Sequence, residues 1–178
     1  MAKPRKKFVL VLVEGATEIT ALSSPITDLF VANEERNIVD VYFCMLQDEE
    51  KEGGDITSKY GVKPENIESM IGKLFIDPFF SKHQYLYPKN IAEIIHIVDL
   101  DGTFIDEDKV VFSKEIERDP WYKENCIETK DVKGIRERNQ RKKDNLRELI
   151  KKEKITIRPK NARNTKTVDY SIWSYVKI

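Results

Sequence analysis

Two cysteines and two histidines in 178 residues are too few for a disulfide framework or a structural zinc site. Cys44 lies in an apolar run and reads as a core residue, and neither His83 nor His96 has a Cys or His neighbour to form a metal cluster. Long hydrophobic runs are also missing. No segment approaches the length of a membrane span, so the chain reads as a cytoplasmic protein with no membrane partner. Lys3, Arg5, Lys6 and Lys7 before an apolar run imitate the start of a secretory signal, but Phe8–Val13 is too short and stops at Glu14 with no cleavage site. The phosphate-loop pattern G-x-x-x-x-G-K-[ST] is absent, which argues against an ATP-driven machine. There is no internal repeat.

Net charge is absent too, because 31 Lys/Arg balance 31 Asp/Glu, but the balance hides a division along the chain. From Glu14 to Glu128 there are 11 basic against 25 acidic residues; from Thr129 to Ile178 there are 16 against 6. An acidic body with a basic C-terminal third suits a cation site in the first part and a phosphate backbone gripped by the second. It is equally the pattern of a solvated charged helix.

What is present is an alternation of strand-like and helix-like patterns. Phe8–Val13, Ile38–Leu46 and Ala92–Val98 read as strands buried on both faces. A helix follows the first, with Ile19, Leu22, Ile26, Leu29 and Phe30 at helical spacing and Pro25 weakening its middle. Gln47–Ser58, with Gly53-Gly54, reads as a mobile loop. Pro64 is expected to open a second helix that Pro78 interrupts, followed by an aromatic stretch from Phe79 to Tyr87 that covers one sheet face. Gly102–Lys130 reads as irregular, residues 132–152 as a basic helix with a sparse apolar stripe (Ile135, Leu146, Leu149, Ile150), and Ile155–Ile157 and Tyr170–Val176 as short strands. Alternation of this kind predicts a parallel α/β sheet in a single domain spanning 1–178. The strand-like ending at Ile178 reads either as a terminus tucked into the sheet or as the N-terminal part of a longer protein with a further domain or partner.

Two acidic motifs stand where strands end. FVLVLVEGATE places Glu14 after the first strand, and IIHIVDLDGTF places Asp99 and Asp101 after the third. Ligands of open parallel sheets bind beyond the carboxyl ends of the strands, and convergent carboxylates there suit Mg²⁺ or Mn²⁺. The basic helix offers Arg138, Arg141, Lys142, Lys143 and Arg147 to a nucleic-acid backbone.

These motifs resemble the Toprim domain of bacterial primases, type IA and type II topoisomerases, small ribosomal-RNA maturases and OLD-family nucleases. That domain carries a Glu after its first strand and Asp-x-Asp after its third. The VEG-x-TE form is most similar to the OLD and RloB-type proteins of phage defence and DNA repair. The resemblance covers Phe8 to Phe104, with Gln47–Val62 as an insertion and a final strand near 170–176. It implies a Rossmann-like open parallel sheet of about four strands with helices on both faces. It also implies a Mg²⁺- or Mn²⁺-dependent nuclease or phosphotransferase acting on nucleic-acid phosphodiesters. Asp99 and Asp101 would hold the cation, Glu14 would act as general acid/base or share a second metal, and Glu18, one turn on, would be a weaker ligand. Strand passage needs more chain than is present.

Two rival readings remain. Asp99-Leu100-Asp101-Gly102-Thr103 matches the first motif of haloacid-dehalogenase-type phosphatases, with Asp99 as nucleophile and Asp101 as general acid. That motif normally ends the first strand of its fold, and the reading leaves VEGATE unexplained. The other rival is a non-catalytic nucleic-acid-binding module built on Lys130–Lys166.

Overall fold

Strand β1 (Lys7–Val13) is apolar at every position after Lys7 because both of its faces are covered. In the computed structural model, which describes residues 7–31, 37–48, 52–100, 102–152, 154–157 and 168–177, it lies between β2 (Ile38–Met45) and β3 (Ile91–Asp99) and runs parallel to both. Phe8, Leu10 and Leu12 point into one core; Val9, Val11 and Val13 point into the other. Helix α1 (Ala16–Val31) closes the Val9 side with Ile19, Leu22, Ile26 and Phe30, while Leu29, expected in the same stripe, is exposed. Pro25 lies within α1, and the helix continues through it.

The opposite core is filled from α2 (Ile67–Ile71), a π-helical stretch at Gly72–Ile76 and α3 (Asp77–Lys82), which follow one another without a break. Pro78 therefore does not interrupt this region as expected. A proline cannot donate to the carbonyl four residues back. Here that carbonyl, on Leu74, accepts instead from Gln47 N–H at 2.8 Å. The wider π winding just before Pro78 and this outside donor together accommodate the ring. Phe79 and Phe80 are core residues, and Tyr85 and Tyr87 face solvent.

Gly102–Lys130 is more regular than its composition suggests. It carries a small sheet of β4 (Val110–Phe112), β5 (Trp121–Tyr122) and β6 (Ile127–Thr129), in the order β4-β6-β5. Helix α4 (Val132–Lys151) follows, its N-terminus capped by the Asp131 carboxylate accepting from Gly134 N–H at 2.8 Å. Its buried residues are Asn139, Lys142, Asn145, Leu146 and Leu149. Its inward face is thus polar over the first part and apolar only towards the end, and Ile150 is exposed. The chain ends with β7 (Lys154–Ile157) and β8 (Val168–Lys177), which pair antiparallel. β8 also pairs parallel with β3, so the main sheet of the described residues has five strands in the order β2-β1-β3-β8-β7. The molecule is a mixed α/β fold on a mostly parallel sheet with helices on both faces.

Candidate functional site

The sheet's parallel strands all present their carboxyl ends at one edge, and there the two acidic motifs meet. Glu14 follows β1 and Asp99 ends the neighbouring β3. Asp99 N–H donates to Glu14 Oε1 at 3.0 Å across 85 residues of sequence. Glu18, in the first turn of α1, folds back so that its Oε2 would lie 3.4 Å from a Cβ at Gly15, one turn away from Glu14. Asp101 lies outside the described residues.

The loop after β2, expected to be mobile, is folded into this edge. Gly53 N–H donates to Leu46 O at 2.7 Å and Gly54 N–H to Glu14 O at 2.6 Å. Both glycines adopt positive φ, +93° and +101°, a region that admits glycine without steric cost. The turn delivers Asp55, whose Oδ1 accepts from Thr57 N–H at 2.8 Å and from the Thr57 hydroxyl at 2.5 Å. Ile56 and Thr57 are fully buried behind it.

Lys142 reaches the same place from α4. Only 1% of its side chain is exposed. Its ammonium lies 2.8 Å from Asp55 Oδ2 and 3.9 Å from Glu14 Oε1, and it donates to the Asp99 carbonyl. Burial pushes the Asp55 carboxyl up, but the Lys142 charge and hydrogen bond and the two Thr57 donors outweigh it, so the net shift is downward. On the Leu10–Leu12 side of β3, His96 is buried and its Nδ1 has no hydrogen-bond partner among the described residues. Burial and the Lys142 charge hold it neutral, down to about 4, against the opposing pull of Asp55. The polar face of α4 completes the shell: Asn145 donates to Thr57 O at 2.8 Å, and Asn139 to Gly102 O at 3.4 Å.

The basic residues expected to grip a backbone divide. Lys142, read from sequence as one of a solvent-facing set, is instead buried among carboxylates, because it falls on the inward stripe of α4 formed by Asn139, Lys142, Asn145, Leu146 and Leu149 at three- and four-residue steps. Arg138 bonds Asn139 Oδ1 at 3.2 and 3.3 Å, and Arg141 Nε donates to Ser58 O at 2.8 Å. Lys143 is half-buried, and Arg147 is exposed and paired with Asp144 at 3.6 Å, a contact of little energetic weight.

Asp55 and His96 are the members that sequence reasoning missed, and Lys142, expected on a nucleic-acid backbone, belongs to the carboxylate edge instead. The available signal was Gly53-Gly54-Asp55, two residues free to take positive φ ahead of a carboxylate. As for a metal, Glu14 and Asp99 offer hard oxygen donors of the type that suits Mg²⁺. Among the described residues no three His, Cys, Asp or Glu side chains gather closely enough to hold an ion on their own. Glu14 and Asp99 are thus two oxygen donors of the expected kind, with Asp101 as the remaining expected ligand, while Lys142 is ion-paired with Asp55. No family model matches the chain, no curated protein matches it in sequence, and no solved structure matches it.

Proposed function

We propose that this protein is a divalent-metal-dependent, Toprim-like enzyme that cleaves or transfers nucleic-acid phosphodiesters. The observation that carries the reading is the contact between Asp99 N–H and Glu14 Oε1. Two carboxylate motifs 85 residues apart are joined at the carboxyl edge of adjacent parallel strands, where ligands of such sheets bind. A phosphatase built on Asp99 alone gives no reason for Glu14 to be there.

In this reading Glu14 moves the proton of the attacking or leaving oxygen, and Asp99 and Asp101 would hold Mg²⁺ or Mn²⁺. When bound, the cation would supply charge neutralisation on the phosphoryl oxygens. The chain's own residues do the rest. The Asp99 N–H orients the Glu14 carboxylate from one side and the Lys142 ammonium attracts it from the other. Lys142 is itself shielded from water, so its charge acts on the neighbouring groups more strongly than that of a surface lysine. Gly54 N–H on the Glu14 carbonyl holds the backbone beneath. A role in phage defence or DNA repair, and a Toprim-like arrangement of the four parallel strands β2, β1, β3 and β8, belong to this same proposal.

The test is cleavage of plasmid and of labelled oligonucleotides with Mg²⁺ or Mn²⁺, alongside calorimetry of cation binding. Glu14→Gln should lower turnover by roughly a hundred-fold or more with the fold intact. Asp99→Asn, which keeps the backbone N–H, should abolish cation binding and cleavage together. Full activity in both variants would remove these residues from the mechanism. Hydrolysis of a small phosphomonoester with no cleavage of nucleic acid would transfer the proposal to the phosphatase reading.

A further inference from the structure

We infer that the site takes single-stranded nucleic acid, with unpaired bases held by two arginine–tyrosine pairs that flank Lys142: Arg138 with Tyr122, and Arg141 with Tyr60. The inference rests on the phosphodiester reading above for the identity of the polymer. Arg138, Arg141 and Lys142 stand at i, i+3 and i+4 on α4, so they share one helix face. Lys142 enters the carboxylate edge. The two arginines each meet a tyrosine from a different part of the chain, with the guanidinium 5.9 Å from the Tyr122 ring and 6.0 Å from the Tyr60 ring.

Both rings belong to segments that build the site. Tyr60 follows the turn that delivers Asp55 and Thr57, and Arg141 is fixed to that turn through Ser58 O. Tyr122 lies against the turn after Asp99: its ring would be 3.1 Å from a Cβ at Gly102. Yet the rings are not core residues, since Tyr60 is 89% exposed and Tyr122 39%. An aromatic face open to solvent beside a positioned guanidinium offers stacking to any base and charge to the adjoining phosphate. In a duplex the base faces are already covered by their neighbours, so such a surface selects unpaired strands.

The experiment is fluorescence anisotropy with labelled oligothymidylate and a duplex of equal length, in EDTA so that no cleavage occurs. The single strand should bind more tightly than the duplex. Tyr60→Ala should weaken it by roughly five-fold or more, with Tyr60→Phe close to wild type. Arg141→Gln should reduce the slope of log affinity against log salt by about one. Tyr60 makes so little packing contact that its truncation leaves the fold unchanged, checked by circular dichroism; Tyr122→Ala is the companion variant. Equal affinity for duplex, no loss in Tyr60→Ala, or no binding of either form would overturn the inference. Tyrosine-dependent strand binding by a protein that cleaves nothing when Mg²⁺ or Mn²⁺ is restored would uphold it and refute the cleavage reading alone.

Discussion

Lys142 carries its charge into a place where water cannot solvate it, and this is tolerable because Asp55, Glu14 and the Asp99 carbonyl surround it. Nothing in the sequence separates it from its neighbours Arg141 and Lys143, since a lysine in a basic helix looks the same whichever way it points. His96 is the less conspicuous partner of this arrangement. Its value is held at about 4, below the ordinary 6.5, by burial and by Lys142, with Asp55 pulling the other way. The unfolded chain takes up a proton near pH 6.5 while the folded protein refuses it until about pH 4. The stability conferred by a neutral His96 is therefore full above pH 6.5 and is lost progressively as pH falls through that window, by up to roughly 3 kcal/mol. Asp55, whose carboxyl is lowered, adds a further loss only in more acidic solution, below the ordinary carboxylate value of 3.8. Urea unfolding of the wild type should thus show a falling midpoint between pH 7 and pH 4.5, and His96→Gln should flatten that decline. A wild-type midpoint that stays level would mean that His96 is solvated.

Among elements, the short turn at Gly53-Gly54-Asp55 joins two strand ends to a helix within the site. It ties the end of β2 to the end of β1 through Leu46 O and Glu14 O, and it presents Asp55 to α4. The two glycines permit a controlled comparison. A Cβ at Gly53 would come within 2.8 Å of the Glu14 carbonyl oxygen, whereas one at Gly54 would meet nothing within 4 Å. Both substitutions pay for positive φ, of order 1–3 kcal/mol, but only Gly53→Ala must also displace Glu14. Gly53→Ala should therefore lose more thermal stability than Gly54→Ala and, on the function proposed above, a larger share of its cleavage rate per folded molecule. Matching losses in both would show that strain alone governs the turn. This element reads as a loop in sequence because its polar residues carry no periodicity; its order comes from the carbonyls of Glu14 and Leu46, just past the ends of β1 and β2. The small sheet β4-β6-β5 escaped for a related reason, since strands of two or three residues are too short to show alternation. By contrast β1, β2 and β3 were legible as apolar runs, and α4 as a long basic helix, because burial on both faces and helical length do leave a mark in sequence.

At the scale of the whole molecule, the order of strands in the sheet departs from their order in the chain. β3 pairs with β1 on one side, but its other side is taken by β8, from Ile94 opposite Ile172 to Asp99 opposite Lys177. The motifs at the strand ends could be read without this knowledge, because each is local; which strand lies beside Asp99 could not, because pairing between distant strands leaves no local trace. A chain ended at Lys152 would expose the hydrogen-bonding edge of β3 along with its apolar neighbours. Such a chain should elute as soluble aggregates in size-exclusion chromatography with light scattering, and a well-behaved monomer would contradict the pairing. The feature also has a consequence in time. On the ribosome, β1 and β3 emerge long before β8, so the strand that ends at Asp99 must wait with one side bare while α4 and then β8 are synthesised. The carboxylate edge at Asp99 would therefore be completed only after β8 has emerged, and the interval before it is when a nascent chain is most in need of a chaperone.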